Sequence, residues 1–239
     1  MMKKIILLAI ISLIVFQLKA QTDSLTTNKE QPCKTFLKTQ YIPLGLIGIG
    51  SLLNIGTIKN HIEKAMPDTH TPIDNYLQFA PVAQLFIYDL SGARHKNDIF
   101  TQTKYLLLSQ LTSGILVQSL KKITRVKRPQ GKNTSFPSGH TTNSFVNATI
   151  LYKEFKDTSP WLAYSGFAVA TATGILRMTN RAHWLPDVLT GAGIGILTVN
   201  LVYYLEPLKN FNPFNKSRDI TFVPQIRRNS YGLYFAYKF

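Results

Sequence analysis

At 239 residues the chain is long enough to bury a substantial core, and its one cysteine, Cys33, excludes an internal disulfide. Charged residues make up 16%, few for an ordinary soluble domain, yet a mean hydropathy of +0.01 is low for a chain built mostly of lipid-facing helices. The 27 Lys and Arg against 12 Asp and Glu call for an anionic partner, whether phosphate, lipid headgroup or nucleic acid.

In chain order, MMKKIILLAIISLIVFQLKA places lysines before a long apolar run that ends at Ala20. That is the layout of a secretory signal peptide over 1–20, cleaved after Ala20. Export makes nucleic acid a poor partner. Residues 21–40 read as a polar linker, and 41–75 as a first apolar helix and loop. Apolar blocks then recur at 76–90, 105–120, 141–155, 161–176 and 188–205, after the one at 41–58. Their lengths and their Leu, Ile, Ala and Gly content predict helices rather than strands. Residues 76–205 therefore form the main bundle, and the chain as a whole reads as all-α with about six helices, membrane-embedded or membrane-associated. A block of 15 or 16 residues reaches only about 24 Å, short of a ~30 Å hydrocarbon core, so 41–58 and 188–205 are the spans expected. Gly191, Gly193 and Gly195 follow no strand, which favours close helix packing over a nucleotide loop. In the basic tail, 206–239, DITFVPQI and YGLYFAYKF alternate on either side of RRNS, predicting a short C-terminal β-hairpin.

Three clusters carry chemistry: Lys121 with Arg128-Pro129, then Pro137-Ser138-Gly139-His140, then Arg177, His183 and Asp187. Residues 130–136 reach at most about 25 Å, so the first two clusters stay on one side of any membrane. From His140 the chain runs down one helical block and returns along another of similar length, which brings Arg177 back to the same end. Lys121, Arg128 and Arg177 supply charge for a tetrahedral oxyanion. Ser138 and Gly139 precede an apolar block, so their N–H groups are expected at a helix N-terminus that favours anions. Two histidines divide the labour: His183 as nucleophile, oriented by Asp187 one turn on, and His140 as general acid. No acidic cluster has metal-ligand spacing, so neither a metal nor another cofactor is expected.

These clusters, K-KITRVK-RP, PSGH and LR-MTNRA-H-WLP-D, resemble the motifs of the type 2 phosphatidic acid phosphatase and vanadium haloperoxidase superfamily. The resemblance covers roughly 76–205. It implies an all-α bundle, phosphate binding by Lys121, Arg128, Ser138, Gly139 and Arg177, acid catalysis by His140, and attack by His183 with support from Asp187 through a phosphohistidine. Leu176 stands where the family has serine. Arg181 has the wrong spacing to His183 to be the motif arginine, and His61, His70 and His95 read as surface residues. The leading expectation is a phosphatase of a phosphorylated envelope lipid: an isoprenoid diphosphate, a phosphatidate-like lipid or a lipid A phosphate. It would sit in a bacterial-type inner membrane with its site facing the periplasm, or be bound peripherally on that side. A secreted broad-specificity acid phosphatase, a vanadate-dependent haloperoxidase and a non-catalytic anion-binding envelope protein are the alternatives.

Overall fold

The computed structural model describes residues 30–54, 57–131, 134–205, 220–227 and 230–237. The expected signal peptide, residues 1–20, lies outside them. Eight helices are present among the described residues: α1 Glu30–Leu53, α2 Thr57–Ala65, α3 Ile73–Leu77, α4 Ala80–Leu90, α5 Ile99–Thr124, α6 Gly139–Phe155, α7 Pro160–Thr179 and α8 Leu185–Tyr204. All belong to one compact unit ending at Tyr204. The strands β1 Ile220–Arg227 and β2 Ser230–Tyr237 form the other, an antiparallel hairpin running from Ile220 opposite Tyr237 to Arg227 opposite Ser230.

Local chemistry sets the helix ends. The Asp98 side chain accepts the Thr101 N–H at 3.0 Å to open α5, which stops where Arg125 turns left-handed at φ 48°. Ser138 caps α6, and Pro160 occupies the first turn of α7, where its missing N–H costs nothing. In α8, Asp187 reaches back to accept the Trp184 N–H at 2.9 Å, half of a capping box.

The core is built around α8, which packs along α1, α6 and α5, while α7 lies on α6. Leu85, Val146, Ile150, Leu151, Phe155 and Val199 are fully buried there. The α8 glycines are packing residues, as expected. A methyl on Gly191 would come 2.7 Å from the Ser138 carbonyl oxygen, one on Gly195 2.7 Å from that of Thr142, and one on Gly193 2.6 Å from that of Pro43. At Gly191 and Gly195 this backbone-to-backbone approach fixes the start of α6 against α8, and at Gly193 it fixes α1 against α8.

Three boundaries differ from the sequence reading. The polar linker gives way to helix at Glu30, because one inward side chain per turn is enough when partners are waiting: Phe36 stacks on Tyr204 with centroids 4.0 Å apart, and Gln40 is buried. Two short helices, α2 and α3, carry no long apolar run and so raise the count above six. Helix α5 extends beyond its apolar block on both sides to 26 residues, from the Asp98 cap to the left-handed Arg125. Among the described residues, Phe36–Leu53 and Leu185–Tyr204 are long and apolar enough to cross a membrane. They differ in surroundings: α8 is largely buried, whereas Tyr41, Ile42, Leu44, Ile49 and Leu52 leave an exposed apolar surface on α1.

Candidate active site

Four helix ends meet at one pole of the bundle: the C-terminal turns of α5 and α7 and the N-terminal turns of α6 and α8. They bring together all three sequence clusters. Thr141 donates its N–H to the Ser138 side chain, and Thr142 donates its hydroxyl to the Ser138 carbonyl at 2.9 Å. The peptide before this turn, Phe136-Pro137, is cis.

The Ser138 N–H does not face an anion. It donates to the Asp187 carbonyl at 3.0 Å, a consequence of α8 pressing onto this turn at Gly191. Ser138 is thus a helix cap that ties the second motif to the third. The Gly139 and His140 N–H groups find no protein acceptor among the described residues, which leaves two free donors in the first turn of the kind that suit an anion. A methyl on Gly139 would meet nothing closer than the Val117 side chain at 3.8 Å, so protein packing does not require glycine there.

Around that turn stand three cations. Lys121 donates from Nζ to the Thr134 and Ser135 carbonyls, both at 3.0 Å, which fastens the loop and leaves one ammonium proton. Burial, and then the Arg128 charge, lower its pKa to about 8, so it stays mostly protonated at neutral pH. The Nε–H groups of Arg128 and Arg177 are buried and find no acceptor among the described residues. Two unpaired guanidinium donors beside one helix N-terminus fit a bound oxyanion.

His183 is 2% exposed. Its Nδ1 lies 3.4 Å from Asp187 Oδ2, long for a direct hydrogen bond, and 3.3 Å from the hydroxyl of Ser135. Ser135, fully buried, donates its hydroxyl to the same Asp187 oxygen. One carboxylate oxygen therefore serves the Trp184 N–H, the Ser135 hydroxyl and the His183 ring. Sequence reasoning placed Asp187 but missed Ser135, whose only signal was a hydroxyl two residues before PSGH. With Nδ1 so occupied, Nε2 is the nitrogen left for chemistry. Burial, partly offset by Asp187, lowers the His183 pKa to about 4 and keeps the ring neutral, as a nucleophile requires.

His140, in the first turn of α6, contacts a segment that no motif predicted: its Nε2 lies 2.9 Å from Asn75 Oδ1. Its pKa is also lowered to about 4, first by burial and then by Arg177, with Asp74 acting in the opposite sense. A dianionic ester beside it would favour its protonated form. Arg177 itself forms a buried ion pair with Asp74 of α3. Arg181 is structural: it pairs with Glu63 at 2.9 Å and donates to the Met66 carbonyl at 3.2 Å, anchoring α2. His61 and His70 lie at the surface, while His95 is half-buried and contacts the Asn97 carbonyl.

Parts of the chain are similar to known proteins. Residues 102–211 match the family model of the PAP2 superfamily. A lipid A 1-phosphatase from Porphyromonas gingivalis is 38% identical over 144 residues, 58% of this chain; the chain spans only 32% of that protein's length. The crystal structure of Aquifex aeolicus LpxE shares the fold at 20% identity, with a TM-score of 0.50 over 62% of this chain and 96% of that one. A Bacillus subtilis transmembrane PAP2-type phosphatidylglycerolphosphate phosphatase is 24% identical with a TM-score of 0.49, covering 72% of this chain and 100% of that one.

Proposed function

We propose that the chain, whose residues 102–211 match the PAP2 superfamily model, hydrolyses the phosphate ester of an envelope lipid through a phosphohistidine. The observation that carries this is a buried neutral histidine in the same cluster of helix ends as two arginines whose Nε–H groups lack an acceptor and as the N-terminus of α6. His183 Nε2 attacks phosphorus and the bond to the leaving oxygen breaks, with a proton from His140 arriving on that oxygen. His140, now neutral, takes a proton from water as the water attacks phosphorus. The P–N bond breaks, releasing inorganic phosphate and neutral His183. Lys121, Arg128, Arg177 and the Gly139 N–H stabilise the charge on the equatorial oxygens, with no metal in either step.

Among envelope lipids, the name of the 38% identical relative favours a glycolipid phosphate of the lipid A type over a prenyl diphosphate or a phosphatidate. The exposed apolar surface of α1 supports a membrane-embedded chain; that the site opens on the periplasmic face is part of the proposal. Phosphate release from lipid A, a prenyl diphosphate and an aryl phosphate, with chelator present, tests the reading. Release fastest from lipid A and abolished in His183→Ala is the expected outcome. Quenched reactions with labelled substrate should trap a protein-bound phosphate that is stable to base and labile to acid. Equal rates on all three esters would point to a broad-specificity phosphatase, and label stable to acid would exclude the phosphohistidine.

A further inference from the structure

The stretch between α2 and α4 belongs to none of the three motifs, yet it supplies two side chains to the site. Asp74, buried at 1% exposure, accepts from Arg177 Nη1, and its neighbour Asn75 faces His140. We propose that Asp74 and Asn75 are positioning residues, the first aiming the Arg177 guanidinium and the second fixing the His140 ring, so that one rigid segment sets both anion binding and proton delivery. The inference rests on the phosphatase reading of the site.

Rigidity comes from contacts at both ends of the segment. Towards the end of α7, the Thr69 N–H donates to the Thr179 carbonyl at 2.9 Å. Asn180 closes a two-way link there, accepting the Thr71 N–H at 3.1 Å and donating to the Thr71 carbonyl at 2.8 Å. Towards α6, Gln78 accepts from the Asn143 side chain on its Oε1 and from the Asn147 side chain on its carbonyl, both at 2.9 Å. Asp74 and Asn75 lie between these two anchors. They are therefore held against the same two helices that carry Arg177 and His140.

The chemistry follows from donor and acceptor types. With one edge of its guanidinium committed to Asp74, Arg177 keeps its unpaired Nε–H for an oxyanion. The amide oxygen of Asn75 can only accept, so it holds a proton on His140 Nε2. Nδ1 then becomes the nitrogen that gives a proton to the leaving oxygen and later takes one from water. Asp187 does the corresponding work for His183, but with a charge. The neutral amide orients His140 without adding a charge that would hold on to the proton it must deliver. Arg177, Arg128 and Lys121 all disfavour the protonated ring, and Asp74 favours it.

The test uses the full chain in detergent micelles with two phosphate monoesters, one alkyl and one p-nitrophenyl, at matched melting midpoints. Protonation matters for the alkoxide and little for nitrophenolate. Asn75→Leu should therefore lose at least tenfold more kcat on the alkyl ester than on the aryl ester. Asn75→Asp should move the alkaline limb of the alkyl-ester kcat profile upward by about one pH unit, because a carboxylate holds the imidazolium proton more tightly. Asp74→Asn should weaken inhibition by inorganic phosphate about tenfold whichever ester is used. Uniform losses across both esters, with phosphate inhibition unchanged, would reduce the segment to a structural wall and overturn the proposal. Tighter phosphate inhibition in Asp74→Asn would overturn it differently, by making the carboxylate a competitor for Arg177. A wild-type chain that releases no phosphate would bring down the phosphatase reading, and this inference with it.

Discussion

At the scale of single residues, the site turns on one carboxylate oxygen with three calls on it. Ser135 stands between Asp187 and His183 closely enough that its hydroxyl helps set the ring. Removing a hydrogen bond to a charged group costs roughly 1.5–3 kcal/mol. Ser135→Ala is accordingly expected to lower kcat about tenfold or more with KM nearly unchanged, measured on the lipid substrate. The histidines also make the fold sensitive to acid. His183 and His140 sit at about 4 in the folded chain, against an ordinary 6.5. The unfolded chain therefore binds protons first as pH falls, and stability that is complete above about 6.5 drains away towards about 4. Melting midpoints taken across that window should fall, and His183→Gln should flatten the slope. The histidines, arginines and aspartate of the motifs were legible in the sequence because their spacing is chemical. Ser135, Asp74 and Asn75 were not, since their relevance depends on where a loop and a short helix come to rest.

At the scale of elements, glycines on two helices answer opposite demands. A methyl on Gly191 would have to displace the Ser138 carbonyl, so Gly191→Ala should cost about 1–3 kcal/mol and move the α6 cap with it. A lowered melting midpoint together with lost phosphate release is the expected pair of results. On Gly139 the same methyl meets only a side chain at van der Waals distance. Gly139→Ala should therefore keep the wild-type melting midpoint and raise KM several-fold, through crowding of the anion alone. The main helices were readable from the length and composition of the apolar blocks to within a few residues, apart from the early start of α1 and the extended ends of α5. The two short helices were not, because neither carries a long apolar run; α2 is held in part by the ion pair of Arg181 with Glu63.

For the whole molecule, the exposed apolar surface of α1 and the Leu107, Leu111 and Ile115 line of α5 set the expected location. Apolar faces of this extent are unusual on a soluble monomer. The chain should float with lipid vesicles and resist extraction by alkaline carbonate, while a Leu44→Lys, Ile49→Lys double variant should extract more readily. Recovery of the wild-type chain in the soluble fraction after carbonate would count against a membrane-embedded unit. The sequence by itself determined the helical class, the hairpin and the three motifs proposed to carry the chemistry, because block length, alternation and motif spacing are local properties of the chain. Only the tertiary structure decided that Ser138 spends its N–H on Asp187, that Ser135 bridges the histidine and its carboxylate, and that Asp74 and Asn75 face Arg177 and His140. Those contacts join segments from 48 to 103 residues apart, and only the close approach of packed helices brings them within hydrogen-bond reach.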